Sequence, residues 1–365
     1  MRSMSNKRNS SFELLRIVSM YLIVLHHFVV HGNTDIGGVY PLKKFTMICM
    51  TIGGKVGVDV FVMIGAYFLV GKSFKFKRVV KLILMIIFYT WAIYIILKLL
   101  NYNLQYQWYE LWLPVPGTYW FAGSYIVLLF MAPVLNLVIE NITQEQYRNI
   151  LCFLTLIFVL IPTFIIPNIV DLGLSHSELG NSTVSIFIYL YLLMGYIRKY
   201  PSKFTNSIIA NLLFLMLGLI VSGAFLGLGS IYWNDNQQIP VYVMNSLSSN
   251  SFFVVWISLG LILVFKNIPP FTSRIINIVA GGTFAVYLIH DNQFIRGILW
   301  GKVNNSQYQS SSNFLIHGLE ISLLTLIICI VIELVRQIFF NRAFGTIEKK
   351  LGDLLDRKLG SKKDY

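Results

Sequence analysis

The chain has 365 residues, of which 56% are hydrophobic, 15% aromatic and only 12% charged, and it carries a net charge of +13. A soluble protein of this length carries about 25% charged residues, so the composition excludes a soluble globular domain and points to a polytopic membrane protein. The positive charge gathers at the ends of apolar runs, which a membrane protein explains and a nucleic-acid-binding surface does not.

Residues 1–12 read as a short basic tail, and the first span follows at 13–31. No small-residue cleavage site follows that run, so it is expected to stay as a membrane helix. Within it, Arg16 and His27 are eleven residues apart. At 100° and 1.5 Å per residue they fall within about 20° of one another on the helix wheel and about 16 Å apart along the axis. His26 lies about 80° off that line. Ionisable groups in hydrocarbon are costly and are retained for function, so His27 is a candidate catalytic residue, whereas His26 reads as a helix-packing hydrogen-bond donor. Glu13 stands one turn before Arg16. It either forms an interfacial ion pair with Arg16 or holds the guanidinium where it meets a phosphate.

The second span, 46–70, carries Gly53-Gly54-Lys55-Val56-Gly57-Val58-Asp59. Its glycines permit close approach of a neighbour. Lys55 and Asp59 are one turn apart and can neutralise each other; alternatively Asp59 orients an imidazole and stabilises its charged form. The next connection, Lys72-Ser73-Phe74-Lys75-Phe76-Lys77-Arg78, is a positive-inside signal that also suits phosphates. Neither a Walker A motif nor a dinucleotide fingerprint is present, so a nucleotide-driven pump is not expected.

Further spans are expected at 79–100, 119–139, 149–167, 184–198, 206–226, 250–266, 275–297 and 314–340, about ten in all. With the N-terminus in the cytoplasm, 23 of the 29 lysines and arginines sort to the inner side. An even count with both termini cytoplasmic is therefore expected. The outer loops carry Tyr and Trp beside Asn, Gln and Asp, as in Tyr102 to Tyr109 and Ile231 to Asn236, either as an interfacial belt or as a surface for sugar rings. The ninth span ends in Tyr287-Leu288-Ile289-His290-Asp291, which places His290 near the same membrane face as His27. Glu333 and Arg336 in the last span read as an ion pair at its inner end. Residues 341–365 read as an amphipathic basic tail on the inner leaflet. Cys49, Cys152 and Cys329 lie apart and match neither a zinc nor a thiol redox pattern, so no metal centre is expected.

These motifs resemble the acyltransferase-3 family of integral-membrane acyltransferases. The first-span signature, an acidic residue, an arginine and, ten residues later, a histidine, matches Glu13, Arg16 and His27. The second-span pattern matches Gly57-Val58-Asp59-Val60-Phe61, although Ile64-Gly65 stands where serine-glycine is usual. The first inner loop has Lys75-Phe76-Lys77-Arg78 where the family has two arginines. Thr118-Tyr119-Trp120-Phe121 with Ala132-Pro133, Tyr287 with His290, and Glu333 complete the match over about residues 12 to 340.

The resemblance implies an all-α transmembrane bundle, with an acyltransferase domain at 13–340, in a cell membrane. It implies an O-acyltransferase, most simply an O-acetyltransferase, with acetyl-CoA as donor and a glycan or lipid-linked sugar as acceptor. His27, Asp59 and His290 would form the catalytic group, and Glu13, Arg16, Lys75 and Arg78 would meet the phosphates of acyl-CoA. The rival reading is a transporter or flippase for a lipid-linked or sugar substrate, which needs buried charges but no acyl chemistry.

Overall fold

The computed structural model describes residues 9–32, 34, 41–112, 116–165, 183–236, 241–303, 305, 308, 311 and 313–359. The basic residues Arg2, Lys7, Arg8, Lys362 and Lys363 lie outside the described residues, as do half of the loop expected at 32–45 and nearly all of that at 168–183. The described chain is helical, with no strand among the described residues. Seven of its helices are long and apolar enough to cross a membrane.

Helix α1 (Ser10–His31) starts at Asn9, whose side chain accepts the Ser11 amide at 3.1 Å, and carries Glu13 in its first turn, where the helix dipole favours an anion. It runs antiparallel to α2 (Pro41–Leu69), and this pair forms the heart of the bundle. Two glycines make the approach possible. A Cβ at Gly54 would stand 2.2 Å from the Cβ of His26, and one at Gly57 would stand 2.4 Å from the Ser19 carbonyl oxygen. α3 (Phe76–Leu99) and α4 (Pro116–Asn141) follow, α4 being interrupted at Tyr119, whose backbone leaves the helical region. α5 (Gln144–Thr155) continues into a π-helical stretch, Leu156–Ile165, that contains Pro162. α6 (Thr183–Lys199), α7 (Ile208–Asn236), the short α8 (Val241–Ser246) and α9 (Phe252–Asn267) complete the middle of the chain. α7 and α13 (Phe314–Leu359) present rows of exposed apolar side chains such as Leu213, Ile220, Ile327 and Val331. This is the surface a lipid-facing helix shows.

Two expectations change. The ninth span is three helices rather than one: α10 (Arg274–Gly281), α11 (Thr283–His290) and α12 (Gln293–Val303). The first break falls at Gly282. At the second, Asn292 accepts the Phe294 amide at 2.9 Å and so starts a new helix instead of continuing the old one. The basic tail is not a separate amphipathic helix either. α13 runs unbroken for 46 residues, about 69 Å at 1.5 Å per residue. Its distal part packs on the start of α3: Asp356 accepts the Phe76 amide at 2.8 Å, and Glu348 lies 3.9 Å from Lys77. The carboxylate of Asp356 meets one of the free amides at the helix start, which draws the tail onto the protein itself.

Candidate active site

His27 and His290, 263 residues apart in sequence, meet at 2.8 Å through Nδ1 and Nε2. The hydrogen bonds fix the tautomers. His290 Nδ1 lies 2.6 Å from the Val286 carbonyl oxygen, which can only accept, so this nitrogen carries the proton. In neutral His290 the other nitrogen, Nε2, is then the acceptor, and His27 Nδ1 donates to it. The lone pair of His27 is therefore on Nε2. His290 is fully buried behind His27 and serves to orient it.

His27 Nε2 faces a cavity of about 200 Å³ lined by α1 from Met20 to His31, by Lys55, Trp120, Phe121 and Tyr287, and by Asp291 and Arg296. Asp291 Oδ1 is 3.9 Å from His27 Nε2, 3.7 Å from His31 Nε2 and 3.3 Å from Arg296 Nη1. A proton arriving on His27 Nε2 would thus be met by a carboxylate. Asp291 is fixed by the break in the helix, for it caps α11. Tyr119 secures the same corner: its hydroxyl donates to the Leu288 carbonyl at 2.7 Å and accepts from the Asn292 amide at 2.6 Å. Thus the irregular residue of α4 holds the irregular end of α11.

Asp59 does not take the position the sequence allowed it. α2 runs antiparallel to α1, so Gly54 is level with His26 and Gly57 with Ser19. Asp59 consequently lies deeper still, more than two turns from the level of His27. It is fully buried, and neither carboxylate oxygen has a hydrogen-bond partner. Asp291 is the carboxylate beside His27. His26 also borders the cavity, but its Nδ1 donates to the Thr51 carbonyl at 2.7 Å and ties α1 to α2. Among the described residues, His27, His31 and Asp291 offer ligand atoms within 4.8 Å of one another and could hold a metal ion. Arg296, 3.3 Å from Asp291 Oδ1, adds a positive charge at the same place.

The other cluster sits at the opposite end of α1. Glu13 and Arg16 pair at 3.0 Å. Arg78 donates to the Ser73 carbonyl at 3.1 Å, and both Arg16 and Arg78 are within electrostatic reach of Tyr125. Lys75 is the cap residue of α3 and makes no capping bond with its side chain. Arg198 is a third guanidinium near this end: it bonds the Tyr67 carbonyl, lies over the Tyr67 ring at 5.6 Å, and shares with Arg78 electrostatic reach of Tyr191. The cavity beside His27 descends along α1 as far as Met20, about 6 Å above Arg16. The stacked rings of Phe121 and Tyr125, 5.9 Å apart, lie between the two ends. Glu333 and Arg336 do pair, at 2.7 Å, but in a buried network with Tyr89 rather than at an interface.

A bundle of membrane-length helices, with two buried imidazoles beside a carboxylate and an arginine cluster at the far end of the same helix, defines an integral-membrane protein. The chain belongs to the acyltransferase-3 family: the family model, an acyltransferase domain, matches residues 9–334. That span takes in both clusters. No curated protein and no solved structure matches the chain.

Proposed function

We propose that this membrane acyltransferase moves an acyl group, acetyl in the simplest case, from acyl-CoA to a hydroxyl of a glycan or lipid-linked sugar. The observation that carries this reading is the unprotonated Nε2 of His27, set by the His27–His290–Val286 chain and aimed into a cavity. It takes the proton of the acceptor hydroxyl as the oxygen attacks the thioester carbonyl. The carbon–sulfur bond then breaks, and the proton passes from His27 to the departing thiolate. Asp291 stabilises the imidazolium in between. The same lone pair suits a two-step route in which Nε2 first accepts the acyl group with loss of thiolate and the hydroxyl then takes it from the imidazole.

In this reading Arg16, Arg78 and Lys75 meet the phosphates of the donor, and Arg198 joins them. The nucleotide end stays at this face because burying its charge is prohibitive. The pantetheine arm covers the axial distance of about 16 Å to His27. The positive-inside pattern puts this end in the cytoplasm, in a cell membrane with both termini inside, so the acyl group crosses the membrane within the protein.

Purified protein in sealed vesicles should transfer label from radiolabelled acetyl-CoA, supplied on the Arg16 face alone, to a sugar trapped on the other side. If label moves only when both substrates share the Arg16 face, crossing is wrong. If acetyl-CoA is never consumed, the donor assignment is wrong. Arg16→Ala and Arg78→Ala should each raise the KM for acetyl-CoA about tenfold, the weight of one charge-assisted phosphate contact. Lys75→Ala should do less, since an ammonium lacks the two-pronged geometry. An unchanged KM in all three variants would place the donor elsewhere.

A further inference from the structure

The charges around the cavity do not balance. Lys55 lines it, with Nζ 5.8 Å from the centre of the Trp120 ring. Asp59, one turn further along α2, is within electrostatic reach of Lys55, yet neither Asp59 oxygen has a hydrogen-bond partner. Among the described residues Lys55 makes no ion pair within 4 Å and no hydrogen bond. Arg296 also lines the cavity, and its one carboxylate, Asp291, is shared with His27 and His31. The wall therefore holds two fixed cations, Lys55 and Arg296, against a single acid, Asp291. An ammonium held in a mostly apolar cavity with no carboxylate in contact is costly, and a ligand that brings a contacting charge stabilises it. Trp120 and Phe121 give the same cavity flat apolar faces of the kind on which sugar rings pack.

Resting on the acyl-transfer reading above, we infer that Lys55 and Arg296 form an anion subsite for the acceptor, so that the acceptor glycan carries a carboxylate or phosphate close to the hydroxyl that is acylated. The anion lies between Lys55 Nζ and the outer side of the Arg296 guanidinium. Trp120 supports the ring, and a neighbouring hydroxyl is left toward His27 Nε2. Neutral sugars fit the same walls but leave Lys55 without a partner.

Three acceptors separate the possibilities: methyl glucoside, methyl glucuronide and methyl glucoside 6-phosphate, each offered with acetyl-CoA to the vesicle-reconstituted protein. One or both anionic acceptors should exceed the neutral one in kcat/KM by about tenfold, and which of them does so tells carboxylate from phosphate. Lys55→Met and, independently, Arg296→Gln should collapse that ratio toward one, and Lys55→Arg should retain it. Equal use of neutral and anionic sugars by the unaltered protein overturns the subsite. So does a Lys55→Met effect confined to the KM for acetyl-CoA, which would give these cations to the donor. If no sugar takes label, the acyl-transfer reading fails, and binding alone then judges the subsite. In that case the anionic sugar that binds should raise the unfolding temperature of the unaltered protein and not that of Lys55→Met or Arg296→Gln; no rise with either anionic sugar ends the proposal.

Discussion

His27→Ala should abolish acyl transfer, by about a hundred- to ten-thousand-fold, the usual contribution of a positioned general base, while the protein still reaches the membrane in normal amount. His26→Ala, altering the very next residue, should keep most of the activity, because His26 bonds the Thr51 carbonyl and holds two helices together rather than presenting a free nitrogen. His290→Ala should fall between them, with a loss of about ten- to a hundredfold, since it frees the His27 ring to adopt the wrong tautomer without removing the base. Label transfer from acetyl-CoA, normalised to membrane abundance, reads all three. A fully active His27→Ala variant would remove the centre of the proposed mechanism. A dead His26→Ala variant with normal folding would show that the wrong face of α1 had been assigned.

Gly57→Val should have the second large effect, on folding rather than on chemistry. The first added carbon would meet the Ser19 carbonyl oxygen at 2.4 Å, and that atom is backbone, unable to swing aside. α1 and α2 would have to separate. Overpacking of this kind costs about 1–3 kcal/mol and sometimes more, in a pair of helices that also sets the height of His27. Detergent-solubilised Gly57→Val should elute as aggregate on size exclusion, or unfold well below the unaltered protein. Gly223→Ala is the control, for a Cβ there meets nothing within 4 Å. Equal stability of the two variants would mean that the helices are not packed this closely.

The all-helical bundle was legible because a membrane leaves a chain few options: apolar runs of about 20 residues have to form helices that satisfy their own backbone. The arrangement of Glu13, Arg16 and His27 was legible because all three lie on one helix, where spacing alone sets geometry. The approach of His290 to the same membrane face could be counted along the chain. Its 2.8 Å contact with His27 could not, since that depends on how α11 packs. Asp291 was visible as a residue but not as the carboxylate beside His27, because its position follows from a helix break that the apolar pattern of 275–297 hides. Asp59 looked the better candidate for the opposite reason: a short motif displays its residue types and conceals the antiparallel offset that carries it below the site. Arg198 was lost among topology charges, as an arginine at a helix end serves either purpose.

The Phe121–Tyr125 stack bears on more than the route of the acyl arm. A biological membrane is an insulator across which a cell stores energy as an ion gradient. A permanent bore wide enough for a pantetheine chain would admit a file of water, and with it a leak of protons past a row of imidazoles suited to conduct them. On the proposed crossing route the protein would have to work as an airlock: the Phe121–Tyr125 stack would part only while the arm fills the gap and close behind the departing thiol, and catalysis would leave the membrane voltage intact.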